Sequence, residues 1–247
     1  MKIGIIGGSG LDDPDILEGG RDRRVATGWG EPSSPLKEGR IGGKEVVLLA
    51  RHGREHTIPP TQVNYRANVQ ALKDSGCEAI LATTAVGSLR EEIRRGDLVV
   101  VDQFIDFTRR RELSFHSSFE PHKPVHAAMA EPYDAGLRSA LLASAERLGL
   151  RCHPRGTVVT IEGPRFSTKA ESRMFRLWGA DIINMSIATE TILAVEAGLP
   201  YAAVAMSTDY DSWKDDEEPV SWEAVLAVFE RNASNVTRLL VDAIGAV

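Results

Sequence analysis

Only two cysteines, Cys77 and Cys152, occur in 247 residues. Thiols this few and this far apart build no disulfide framework, and a reducing cytoplasm is the expected compartment. No apolar run approaches the ~20 residues of a membrane span, so no membrane partner is expected. The net charge is −6 and no basic tail or stripe is present, which argues against a nucleic-acid partner. An anionic ligand would therefore need a local positive field. Internal repeats, low-complexity tracts and linker-like stretches are also missing. Residues 1–6 resemble a short signal start, but the run ends at Gly7-Gly8-Ser9-Gly10 with acids beyond, so a first core strand is expected. Asn-x-Ser/Thr patterns at Asn232 and Asn235 fall in a predicted helix and carry no meaning inside a cell.

What the chain does have is alternation. It is 43% hydrophobic and 26% charged, the balance of a globular enzyme-sized protein, and its length can bury a large core. Strands read at residues 2–6, 44–50, 79–83, 97–101, 156–162, 181–184 and 200–205. Helices read at 64–73, 135–148, 168–178, 189–197 and 222–244. This pattern predicts one α/β domain over residues 1–247, with a mixed, largely parallel sheet covered on both faces. Residues 106–132 break the regularity. Rich in Arg, His, Phe and Pro, they suit a lid, a binding loop or an interface.

Chemistry gathers where strands are predicted to end, which is where a parallel sheet places its ligands. The stretch Ser207-Thr208-Asp209-Tyr210-Asp211-Ser212-Trp213 offers two acids, better suited to a ligand with hydrogen-bond donors than to an anion. Gly7-Gly8-Ser9-Gly10 suits a phosphate turn or a plain tight turn. A dinucleotide fold is disfavoured there, because Asp12, Asp13 and Asp15 stand where a pyrophosphate would sit. Arg51 and His52 follow an apolar strand, and a guanidinium can hold phosphate bidentately. His52-x-x-Glu55-His56 matches an inverted zinc-protease pattern, but Gly53 and Pro59-Pro60 predict a loop rather than the required helix, and no metal is expected. Thr83-Thr84-Ala85 reads as a hydroxyl-bearing turn. Phe166 precedes a helix that Ser167 or Thr168 can cap, and an aromatic there could stack on a flat ligand or join the core. Asn184-Met185-Ser186 ends a further strand. Together these loops suit free phosphate and a neutral nucleoside.

Longer motifs carry a resemblance over nearly the whole chain. They are Gly4-Ile5-Ile6-Gly7-Gly8-Ser9-Gly10-Leu11, Ala50-Arg51-His52-Gly53-Arg54-Glu55-His56-Thr57-Ile58-Pro59-Pro60, Thr83-Thr84-Ala85-Val86-Gly87-Ser88-Leu89 and Thr160-Ile161-Glu162-Gly163-Pro164-Arg165-Phe166-Ser167. The chain resembles the methylthioadenosine-cleaving members of the trimeric purine nucleoside phosphorylase family. The resemblance implies a purine nucleoside phosphorylase-like fold and phosphorolysis of a purine nucleoside, foremost 5′-methylthioadenosine to adenine and 5-methylthioribose 1-phosphate. It implies phosphate held by Ser9, Arg51, His52, Thr84, Ala85 and Ser186, and ribose beside Met185. The purine would lie by Phe166 and be read by Asp209 and Asp211, with His126 reaching into a neighbouring subunit's site. No cofactor is implied, since phosphate is a co-substrate.

Relatives that take 6-oxopurines carry Glu in place of Ser167 and Asn in place of Asp209, so Ser and Asp here favour a 6-aminopurine. Asp209 would serve as the acid for the leaving base. The family's usual proline before Glu190 is Thr189 here, so that turn is expected to differ. Better-known relatives extend beyond the equivalent of Val247 to help close the 5′ pocket, a space that Trp222 could fill instead. A homotrimer is expected, with residues 104–119 offering aromatic surface, and a hexamer of two trimers is left open. Three alternatives stand beside this reading: a broader phosphorylase acting on adenosine or on inosine and guanosine, a nucleoside-binding regulatory protein of the same fold, and an NAD-dependent oxidoreductase.

Overall fold

A computed structural model describes residues 1–8, 15–217 and 220–247. In chain order the strands are β1 (Ile3–Gly7), β2 (Glu18–Arg23), β3 (Leu36–Ile41), β4 (Lys44–Ala50), β5 (Ala79–Ser88), β6 (Leu98–Val100), β7 (Gln103–Phe107), β8 (Cys152–His153), β9 (Thr157–Ile161), β10 (Ile182–Asn184) and β11 (Tyr201–Asp209). The helices are α1 (Tyr65–Asp74), α2 (Ala135–Arg147), α3 (Lys169–Leu177), α4 (Ile187–Glu196) and α5 (Trp222–Ala246). They form an α/β fold on one mixed sheet, in the order β2-β3-β4-β1-β5-β10-β9-β7, with β11, β6 and β8 branching from β5.

Strand periodicity assigns the core to two faces. Successive strand side chains point to opposite sides. Ile6, Leu49 and Ala205 accordingly pack with Val69 and Leu72 of α1 and Leu193 of α4. Their neighbours Ile5, Leu48 and Val204 pack with Leu141 of α2 and Phe229 and Leu240 of α5. Both faces of β1 are buried, which is why its sequence is a continuous apolar run. Helix starts follow side-chain caps: Asn64 accepts from the Ala67 N–H, and Asp134 from the Leu137 N–H. Thr168 and Glu171 form a reciprocal capping box on α3. Among the described residues, no helix is long and apolar enough to cross a membrane.

Two strand-end expectations change in detail. β5 was expected to stop at Thr83 and turn, yet it runs to Ser88. β11 was expected to stop at Ala205, yet it runs to Asp209. The cause is mutual: Thr83 to Val86 pair in parallel register with Val204 to Ser207, so β-branched residues that read as turn-like alone complete a two-strand ladder. Thr84 and Ala85 therefore stand on a strand, not in a turn. The register slips between Ser207 and Asp209, setting Asp209 opposite Gly87. The early part of residues 106–132 also changes. Phe107 completes β7, and it packs with Phe175 and Trp178. Phe104 packs on Tyr133 and Phe115 on Trp29, so among the phenylalanines of residues 104–119 only Phe119 is exposed. Beyond Thr108 the segment is irregular, as expected.

Candidate active site

The carboxyl ends of β4, β5, β9, β10 and β11 meet in one cavity of about 650 Å³. Its wall includes Arg51, His52, Thr84, Ala85, Phe166, Ser167, Met185, Ser186, Asp209, Asp211 and Trp222. The sequence positions expected to act together thus converge, with two exceptions. His126 lies on the exposed irregular segment, its ring against Phe119, outside this cavity. Ser9 lies outside the described residues.

One end of the cavity is built for an anion. Arg51 follows β4 and is 1% exposed. Its Nε donates to Glu190 Oε1 at 2.5 Å, Nη2 to Glu190 Oε2 at 2.9 Å, and Nη1 to the Thr83 carbonyl at 2.8 Å. Burial works against the guanidinium charge, but the Glu190 carboxylate more than offsets it and raises the Arg51 pKa. Gly8 makes room: a Cβ there would stand 2.5 Å from Arg51 Nη1. His52 brings no positive charge. Burial, then the neighbouring Arg51 charge, pushes its pKa down to about 3. Its neutral ring bonds the Ile58 carbonyl through Nδ1 at 2.8 Å, which makes Nδ1 the donor and leaves Nε2 an acceptor. Ser186 occupies the N-cap of α4 but makes no capping bond, so its hydroxyl is left to a ligand at a helix N-terminus. Asn184 braces this floor, donating to Thr84 Oγ1 and accepting from Thr160 Oγ1. Residues 51–56 form turns rather than a helix, with Gly53 at φ +76° and His56 at φ +52°. The loop expectation for the zinc-like pattern therefore holds. Thr189, in the first turn of α4, accepts a hydrogen bond from Arg111 Nη1, so the residue in the usual proline's place gains its own partner.

The opposite end is acidic, and among the described residues no basic side chain pairs with it. Asp209 Oδ2 accepts from Thr208 Oγ1 at 2.8 Å, and Oδ1 accepts from the Asp211 N–H at 2.7 Å. Asp211 itself adopts φ +46°, in the left-handed region. Burial pushes the Asp209 pKa up to about 6, and burial also raises Asp211. Ser167 donates to Asp211 Oδ2 at 2.5 Å, while Thr168 takes the capping role. Phe166 is 37% exposed and faces the cavity rather than joining the core. Gly87 is required here: a Cβ would stand 2.9 Å from Asp209 Oδ1 and 3.0 Å from Ile183 Cγ2. Between the two ends, Gly163 at φ +68° lets the backbone close over Met185, since a Cβ would lie 2.6 Å from its sulfur. Trp222 begins α5 and stacks on His56 at 5.2 Å, forming a third wall.

Glu190 and Gly87 are site residues to which sequence reasoning gave no role, and Gly8 was read only as part of a phosphate turn or a tight turn. Glu190 sits on a helix, where an acid reads as ordinary first-turn charge. The glycines act through the space they leave.

The sequence pattern of the phosphorylase superfamily matches residues 2–245. The chain belongs to that superfamily. It is 58% identical to S-methyl-5′-thioadenosine phosphorylase of Xenopus tropicalis over 247 residues, covering 99% of this chain and 88% of that protein. It is 56% identical to the Danio rerio protein of the same name, with the same coverage. The fold matches methylthioadenosine phosphorylase from Schistosoma mansoni in complex with adenine at a TM-score of 0.95 and 43% identity, covering 100% of this chain and 91% of that one. A mutant of the Schistosoma mansoni adenosine/methylthioadenosine phosphorylase in complex with methylthioadenosine matches at 0.94 and 42%, with the same coverage. The α/β architecture with its mixed, mostly parallel sheet is thus the phosphorylase fold expected from the sequence.

Proposed function

We propose that this chain catalyses phosphorolysis of 5′-methylthioadenosine, giving adenine and 5-methylthioribose 1-phosphate. The observation that carries the mechanism is that Arg51, bonded at Thr83, and Asp209, set opposite Gly87 four residues further along β5, line one cavity. Phosphate binds at the Arg51 end, helped by Thr84, Ala85, Ser186 and Ser9. His52 contributes hydrogen bonding rather than charge, because its ring is neutral. Ribose lies over Met185, and adenine lies between Phe166 and the Asp209–Asp211 pair. The C1′–N9 bond breaks and its electron pair leaves with the base, so positive charge builds on the sugar, as in glycoside cleavage. A phosphate oxygen forms the new bond to C1′ from the opposite face. Asp209 delivers its proton to N7 of the departing adenine and later regains one from solvent. A pKa near 6 suits a general acid working close to neutrality. Asp211, held by Ser167, accepts from the 6-amino group. A 6-oxo group offers no such donor, so adenine is preferred.

One phosphorylase domain over residues 1–247, a cytoplasmic location and a homotrimer complete this reading. In the trimer His126, exposed on its own subunit, would reach the 5′ substituent in a neighbour's cavity. Incubation with phosphate and, separately, methylthioadenosine, adenosine and inosine tests the assignment through the base released. Phosphate-dependent adenine release, fastest from methylthioadenosine, is expected. Preferred release of hypoxanthine, or adenine release that ignores phosphate, would refute it.

A further inference from the structure

Glu190 is wholly buried on α4 and touches the cavity only through another residue. Both its carboxylate oxygens are spent on Arg51, and Oε2 also accepts from the Tyr201 hydroxyl at 2.8 Å. Tyr201 is itself 1% exposed, on β11. A guanidinium has five N–H donors. Glu190 takes two and the Thr83 carbonyl a third, so Nη1 and Nη2 each keep one N–H without a partner among the described residues. The spare Nη2 N–H is the end-on one, because Glu190 engages the edge shared by Nε and Nη2. Nη1 fills the space that Gly8 leaves open, since a Cβ there would stand 2.5 Å away. Carboxylate, carbonyl and backbone thus hold the guanidinium plane in one orientation.

We propose that Glu190 is a positioning residue for phosphate, fixing Arg51 so that its two spare Nη N–H groups serve the anion subsite, with Tyr201 fixing Glu190 in turn. The inference rests on the phosphorolysis reading. A loose guanidinium would meet phosphate only after losing its own rotational freedom. A locked one is already placed, and preorganisation of this kind appears as affinity. The rival role is plain charge compensation for a buried arginine. That role predicts lost stability on substitution, with no preference for one substrate over the other.

The test is steady-state kinetics with phosphate and methylthioadenosine varied in turn. Wild-type turnover decides the phosphorolysis reading, and the variants decide this inference. For Glu190→Gln the phosphate KM should rise about tenfold or more, the loss expected for a charge-assisted bidentate pair, while the methylthioadenosine KM stays within about twofold. Tyr201→Phe keeps the ion pair and should raise the phosphate KM about threefold. In an Arg51→Met background Glu190→Gln should raise it no further, because the residue acts only through Arg51. A folded Glu190→Gln enzyme with the wild-type phosphate KM would overturn the proposal. So would an undiminished effect in the Arg51→Met background. Should Glu190→Gln fail to fold, a wild-type phosphate KM in Tyr201→Phe would overturn it. The double variant removes both buried charges together and so remains measurable.

Discussion

The two ends of the cavity bury charge in opposite ways. At the Arg51 end each charge has its partner: the guanidinium is clasped by Glu190, and both lie within 1% of full burial. At the Asp209 end two acids are buried with hydroxyls and an N–H for company and, among the described residues, no basic side chain bonded to either. Pairing fixes a charge in place and keeps it. Burial without a counter-ion makes a carboxyl hold its proton more tightly than usual, and the Asp209 pKa of about 6, close enough to neutrality for exchange, is the consequence. One end is thus made to bind and the other to exchange a proton.

The sharpest way to break this contrast is to remove one group from each end. Asp209→Asn should lower kcat by ~10²–10⁴, the range for loss of a general acid. It should also stabilise the protein. The folded-state pKa stands above the ordinary carboxylate value of 3.8, so the native state keeps a proton that the unfolded chain has lost. Stability therefore falls as pH rises from about 4 to about 6 and stays reduced above that. An amide escapes this penalty, which is about 1–3 kcal/mol at pH 7. Chemical denaturation at pH 5 and pH 7 reads the sign. At saturating phosphate, the wild-type kcat/KM for methylthioadenosine should also decline above a pKa near 6, a limb absent from Asp209→Asn.

Arg51→Met should act with the opposite sign on stability. It strands Glu190 in the core, a loss of about 3–5 kcal/mol. Its kinetic mark should be a rise of about a hundredfold in phosphate KM, since the anion loses the guanidinium that lines its end of the cavity. If both deletions stabilise, or both destabilise by similar amounts, the contrast between the ends is wrong.

Gly87→Ala sharpens the acidic end with a smaller expected effect. The added methyl would press on Asp209 Oδ1 at 2.9 Å without touching Arg51. A loss of about tenfold in kcat is expected from displacing the acid by a few tenths of an ångström. The phosphate KM should be unmoved. Parallel initial-rate series in phosphate and in nucleoside separate the two.

Much of this arrangement was legible in the sequence because parallel sheets gather chemistry at strand ends. Arg51, Ser186 and Asp209 each follow an apolar run and stand out by contrast with it. β2 did not stand out. Its six residues, Glu18–Arg23, are all exposed and carry no apolar alternation. β3 carried a usable sign in the Gly42-Gly43 turn before β4, where both glycines take positive φ. Thr83 and Thr84 read as turn chemistry because their partner strand, β11, lies more than a hundred residues away. Glu190 escaped notice for the same reason: the residue it grips, Arg51, is 139 positions distant. Phe166 was ambiguous from sequence, and its exposure into the cavity could come only from folding.

The most direct measurement is adenine release from methylthioadenosine by wild type, Arg51→Met and Asp209→Asn across a full phosphate titration. Arg51→Met should shift the phosphate dependence to higher concentration and leave a kcat approachable at saturation. Asp209→Asn should keep the wild-type half-saturation point at a greatly reduced plateau. Two variants altered in the same parameter, or a wild type that releases adenine without phosphate, would contradict the division of the cavity into a binding end and a proton-donating end.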